Sequence, residues 1–287
     1  MQSSIRTRTR RAARVAATAV LAAMLAVAGQ TAATSQPDED VAGDDLGEGQ
    51  MGVGVRGEQQ PRAAGFSATA TPSGPQGIDV SHWQGDVDWQ SVRDAGIEFA
   101  WIKATEADSY TDPQFADNYI EAHEAGVIRG AYHFARPAQS SGAAQASFFA
   151  SNGGAWSADD LTLPGVLDIE ANPSGEQCYD MTQSQLRNWI LDFHTTYKEL
   201  TGRDAIIYTS PSFWRDCTGG WDGMASRSPL WVANWIDADG PNIPPGFSVW
   251  TAWQYTSTGS VAGVSGDVDR NVFNGTRERL LALANNG

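Results

Sequence analysis

Basic residues are scarce in this sequence, with 19 Lys and Arg against 34 Asp and Glu for a formal net charge of −15. A chain without a basic stripe cannot neutralise a row of phosphates, which argues against a nucleic-acid partner. Cysteine is scarcer still: Cys178 and Cys217 are the whole complement. Neither a CxxC nor an HExxH spacing occurs, so no metal centre is expected. No Gly-rich phosphate-binding turn follows any apolar run, and no cofactor is expected. The four histidines, His82, His123, His133 and His194, form no triad with a serine in a nucleophile elbow. The apolar run at 15–28 is too short and too rich in alanine to span a bilayer.

That run does fit an export signal. Arg6, Arg8, Arg10, Arg11 and Arg14 precede it, and Ala26-Val27-Ala28 offers small residues for cleavage, so residues 1–28 are expected to be a signal peptide. The product would be secreted, extracellular, monomeric and free of the membrane once the signal is removed. In an exported chain an even pair of cysteines reads as a Cys178–Cys217 disulfide. Residues 29–74 carry Asp38, Glu39, Asp40, Asp44, Asp45 and Glu48, are rich in glycine, and lack apolar periodicity. Such a segment buries too little surface to offset its ordering entropy, so a disordered acidic linker or pro-segment is expected, deletable without loss of the fold. Residues 75–287, with 27 acids against 12 bases, are long enough for one domain with a substantial core.

Within that domain, apolar runs of strand length recur at 77–80, 98–104, 127–134, 163–169, 205–209, 230–235, 249–255 and 268–273. Several are apolar on both faces, as buried parallel strands are. Helical patterns lie between the earlier ones. Asp112-Pro113 reads as an N-cap followed by an N1 proline, with Phe115, Tyr119 and Ile120 as a face and Gly126 as the stop. A stronger helix begins at Thr182, where Gln185 completes a capping box. Leu186, Trp189, Ile190, Phe193, Tyr197 and Leu200 follow at 3.6-residue spacing, and Gly202 ends it. Eight strands with early helices between them predict an α/β fold, an irregular TIM-like barrel of five β/α units followed by three strands.

Active sites of such barrels lie at the carboxyl ends of the strands. In the run ending Leu167-Asp168-Ile169-Glu170 the side chains alternate, so Asp168 and Glu170 share one face. If Leu167 and Ile169 pack on helices, both carboxyls point into the barrel mouth, where each raises the other's pKa and one can hold a transferable proton. Asp79 ends the first strand and Asp269 lies in the last, and these strands are neighbours in a closed barrel. Four acids are therefore expected at one mouth. Among the 11 Trp and the tyrosines, Tyr132, Trp235 and Trp253 lie near strand ends where a ring could stack on a sugar, with Gln254 beside Trp253.

At this level the chain resembles the family-25 glycoside hydrolases, the bacterial and fungal lysozymes. The matching pieces are GIDVSHWQG at 77–85, FAWIKATE at 99–106, GAYHFARP at 130–137, LPGVLDIE at 163–170, IIYTS at 206–210, LWVANW at 230–235 and WQYTSTGSVAGVSGDVDRNVF at 253–273. The resemblance spans essentially all of 75–287 and implies that same irregular barrel, with Asp79, Asp168, Glu170 and Asp269 as active-site acids. It implies hydrolysis of the β-1,4 bond between N-acetylmuramic acid and N-acetylglucosamine in peptidoglycan glycan strands, with Glu170 as general acid/base and Asp168 assisting. Either the 2-acetamido group of the sugar or an Asp would be the nucleophile; the i, i+2 spacing of the two acids does not decide it. A chitinase-like hydrolase and an inactive glycan-binding module are the competing readings. For so acidic a domain, adhesion to an anionic wall would come from shape and stacking rather than bulk attraction.

Overall fold

The structure is a computed structural model that describes residues 46–56 and 71–285. The expected signal peptide and most of the expected linker lie outside the described residues. Among the described residues nine strands form: β1 Gln76–Val80, β2 Ile97–Glu106, β3 Tyr110–Thr111, β4 Ile128–Phe134, β5 Val166–Asp168, β6 Ile206–Thr209, β7 Leu230–Ala233, β8 Ala252–Gly259 and β9 Val268–Phe273. The helices are α1 Val53–Arg56, α2 Trp89–Asp94, α3 Phe115–Glu124, α4 Gly142–Phe149, α5 Gln183–Thr201, α6 Pro211–Thr218 and α7 Arg277–Asn285.

Eight of the strands close into a barrel in the order β1-β2-β4-β5-β6-β7-β8-β9, with β9 paired back onto β1. The two-residue β3 is an antiparallel addition to the end of β2. Helices α2 to α6 each follow one barrel strand, giving five β/α units, and three strands follow. The pairings from β1 round to β8 are parallel, whereas β9 runs antiparallel to both neighbours. The reason is reach. A parallel return needs a crossover of a dozen or more residues, and the link 260–267 is too short for one.

Strand alternation divides the apolar residues into layers. Leu167, Ile169 and Ile207 point outward and pack on Leu186, Ile190, Phe193 and Tyr197 of α5 and on Phe213 and Trp214 of α6. Phe99, Trp101, Tyr132, Val166, Ile206, Tyr208 and Trp231 fill the interior, where Trp101 and Trp231 stack with ring centroids 4.1 Å apart. Helix α5 begins and ends as the sequence predicts, with the Thr182–Gln185 capping box and Gly202 in the left-handed conformation. Leu200, however, is exposed. Helix α3 also differs: its N-cap is Gln114, not Asp112, and Ile120 points to solvent while Asn118 and Ala122 are buried. The Asp112 carboxylate is shared: Oδ1 accepts from the backbone N–H of Gln114 at 2.9 Å, while Oδ2 accepts from the backbone N–H of His82 at 3.1 Å and lies 2.9 Å from that ring's Nδ1. The Cys178–Cys217 disulfide is present and ties the loop after β5 to α6.

The segment 46–56 departs from the expectation of an unpacked linker. It forms a turn and the short α1, and buries Met51 and Val55 in the same cluster as Tyr132, Tyr208 and Trp235. Met51, Val53 and Val55 are too short a run among glycines to register as a core-forming pattern, yet Met51 and Val55 are buried once the barrel mouth receives them.

Candidate active site

The mouth is built by strands whose outward residues are claimed by the helical layers. Ile78 and Val80 pack into the outer cluster around Val92 and Ile97, so Asp79 between them turns inward. Leu167 and Ile169 do the same for Asp168 and Glu170. Across the β1–β9 pair, Asp79 stands directly opposite Asp269. All four carboxyls act electrostatically on the buried Tyr208 hydroxyl. The structure thus brings Asp79, Asp168, Glu170 and Asp269 to one mouth, each at most 5% exposed.

Their surroundings differ. Asp79 Oδ2 accepts from Asn271 Nδ2 at 2.8 Å and from Gln254 Nε2 at 3.1 Å. Both donors are themselves held: Asn271 accepts from the Trp231 indole at 2.9 Å, and Gln254 from the Tyr208 hydroxyl at 2.8 Å and the Trp235 indole at 3.0 Å. Burial pushes the Asp79 carboxyl up to about 6, against the pull of those two hydrogen bonds. Neither oxygen of Asp168 has a hydrogen-bond partner among the described residues. Burial first, and then the negative charge of Glu170, hold the Asp168 carboxyl well above the usual carboxylate range, only partly offset by Lys103. Glu170 accepts from two backbone amides, Gly52 at 2.8 Å and Gly54 at 3.0 Å.

Beside the acids lies a buried ionic group that sequence reasoning missed. Lys103 Nζ stands 2.7 Å from Glu106, whose other oxygen takes Arg136 at 2.6 Å. Burial works to raise the Glu106 carboxyl, but the two cations outweigh it and hold it below its ordinary value. The available signal was a Lys and a Glu at i, i+3 inside an otherwise apolar strand. Tyr208 and Asn271, which orient the network around Asp79, were missed as well; each looks locally like an ordinary strand residue.

Of the candidate sugar contacts, Tyr132 lies in the barrel interior and Trp235 and Gln254 belong to the hydrogen-bonded network. Trp253 does not join them. It alternates with Gln254, faces the other way, and donates its indole N–H to the Asn234 carbonyl at 2.6 Å while packing on Trp250 and Tyr255. Asp267 is exposed and plays no part in the mouth.

The model of the glycosyl hydrolases family 25 matches residues 78–264. The chain belongs to this family. Lysozyme M1 of Streptomyces globisporus is 55% identical over 99% of this chain and 98% of its own, and the N,O-diacetylmuramidase of a Chalaropsis species is 39% identical over 73% of this chain and 98% of its own. Among solved structures, the bacterial lysozyme from Streptomyces coelicolor is 63% identical with a TM-score of 0.73, covering 75% of this chain and 98% of that one. This family-25 protein is therefore a glycoside hydrolase of the lysozyme type, on a barrel that agrees with its relatives.

Proposed function

We propose that the protein is a secreted lysozyme that hydrolyses the β-1,4 bond between N-acetylmuramic acid and N-acetylglucosamine in peptidoglycan, with Glu170 as general acid/base and Asp168 assisting. The observation that carries this reading is the pairing of Glu170 with a buried Asp168 that has no hydrogen-bond partner among the described residues, on the same face of one strand end. Protonated Glu170 donates to the glycosidic oxygen as the bond from C1 breaks. The acetamido carbonyl oxygen of the sugar closes onto C1, and Asp168 orients that group and balances its positive charge. Water then attacks C1 as the bond from C1 to the acetamido oxygen breaks and the acetamido group is restored, and the water's proton passes back to Glu170. Asp79, locked by Asn271 and Gln254, and Asp269 opposite it hold negative potential near the anomeric centre. Export is supported by the amino-terminal pattern of arginines, apolar run and small residues.

The test uses purified peptidoglycan. Glu170→Gln removes the transferable proton and should lower the rate by at least about a hundredfold with the fold unchanged; Asp168→Asn should lose a comparable amount. A substrate analogue without the 2-acetamido group should resist cleavage. Wild-type rates in Glu170→Gln refute the assignment, whereas rapid cleavage of the analogue with a sugar trapped on Asp168 makes that residue the nucleophile instead.

A further inference from the structure

The segment 46–56 lies across the mouth and meets groups there at several points along its length. Gly47 donates its N–H to Glu106 at 3.1 Å. Gly49 accepts from Lys103 Nζ at 2.6 Å. Met51 is 1% exposed and, with Gln50, shares the small space that remains beside Asp79, Tyr132 and Asp269. Gly52 and Gly54 donate to the two oxygens of Glu170. The segment thus runs from the Lys103–Glu106 pair, past Asp79 and Asp269, to the proposed acid.

We propose that residues 46–56 are an inhibitory plug that occupies the glycan cleft and holds the enzyme inactive until the chain is cut between Arg56 and β1. This rests on the assignment of Glu170 above. Both oxygens of its carboxyl already hold an amide, and the Trp235 ring lies against the plug backbone, so a glycan strand and the plug cannot be accommodated together. The glycine spacing is what allows the fit. A Cβ at Gly47 would stand 2.7 Å from the Tyr110 ring, one at Gly49 2.7 Å from the Phe134 ring and one at Gly52 2.5 Å from the Trp235 ring. At Gly52 the backbone also has φ +83°, which side chains other than glycine rarely adopt. An acidic linker selected only for solubility has no use for four glycines at contact points and two buried apolar side chains.

Tethering explains how so small a contact holds. While covalently attached, the plug competes with glycan at a high effective concentration, of the order of millimolar for a short link. Once cut, it is an ordinary short peptide that dilution removes. The inhibited state is therefore a property of the uncut chain.

The experiment uses the full chain carrying a recognition sequence for a site-specific protease inserted after Arg56. Complete cutting followed by dilution should raise the rate of peptidoglycan lysis at least tenfold. The uncut variants Met51→Asp and Gly52→Pro, which lose the buried anchor and one amide on Glu170, should show a raised rate without cutting, with the barrel's melting midpoint retained. A synthetic peptide of residues 46–56 added to the cut enzyme should raise KM and leave kcat unchanged. Occlusion is also read without turnover, as wall binding by the Glu170→Gln chain before and after the cut. Equal rates and equal binding before and after cutting overturn the plug. Lysis by the cut Glu170→Gln chain as fast as by the cut wild type overturns the assignment of Glu170 instead, while the ratio of cut to uncut still reports on occlusion.

Discussion

A carboxyl taken out of water without a hydrogen-bond donor is destabilising when ionised, and among the described residues Asp168 has none at the barrel mouth. Its proton is bound more tightly in the folded protein than in the unfolded chain, and the same holds for Asp79, raised to about 6 from an ordinary 3.8. The sign follows from linkage. Stability from these groups is fully present below their unfolded pKa, near 4, and is lost as pH rises through about 6 for Asp79, with Asp168 acting in the same direction. We therefore expect Asp168→Asn to raise the melting midpoint at pH 7 while abolishing activity, with the gain shrinking towards pH 4. Thermal unfolding of variant and wild type at the two pH values checks this; a variant that melts lower at pH 7 counts against it. Period-2 alternation alone was enough to put Asp168 and Glu170 on one face. It could not reveal that Asn271 and Gln254 hold Asp79 while no described residue donates to Asp168, because those partners arrive from strands far along the chain.

At the scale of elements, all eight expected barrel strands are present, and α5 has the caps read from Thr182, Gln185 and Gly202. Apolar period and capping chemistry are local, so they survive in the sequence. Contacts decided by a distant partner were not legible: Asp112 shares its carboxylate between Gln114 at the start of α3 and His82, and Trp253 turns away from the mouth because Gln254 takes the inward position. The disulfide joins two β/α units across a sequence separation of 39. Closing a loop of that size restricts the unfolded chain, and replacing both cysteines by serine should lower stability by about 2–4 kcal/mol. The denaturant midpoint of the double variant reads this directly, and an unchanged midpoint would mean that the bond does not form in the exported protein.

The whole molecule carries its charge against its proposed target. With 27 acids and 12 bases in residues 75–287, the catalytic barrel is repelled by an anionic wall, and salt screens that repulsion within about 10 Å at 0.1 M. The initial rate of wall lysis should therefore rise with ionic strength up to about 0.1–0.2 M, contrary to what a cationic enzyme would show. A rate that falls steadily with added salt would require a basic binding surface that this composition does not provide.

Composition, periodicity and motif spacing by themselves determined the barrel, its five β/α units and three closing strands, the pairing of the cysteines and the four acids of the mouth, because each of these is written in residues near one another or in a pattern repeated along the chain. Only the tertiary structure decided which acid is held and which is left bare, that Lys103, Glu106 and Arg136 form an ionic group beside them, and that residues 46–56 lie on Glu170. Gly52 and Glu170 stand 118 positions apart, and a backbone amide has no side chain to announce its partner. Contacts of that kind depend on where the folded strands end in space, which no local pattern records.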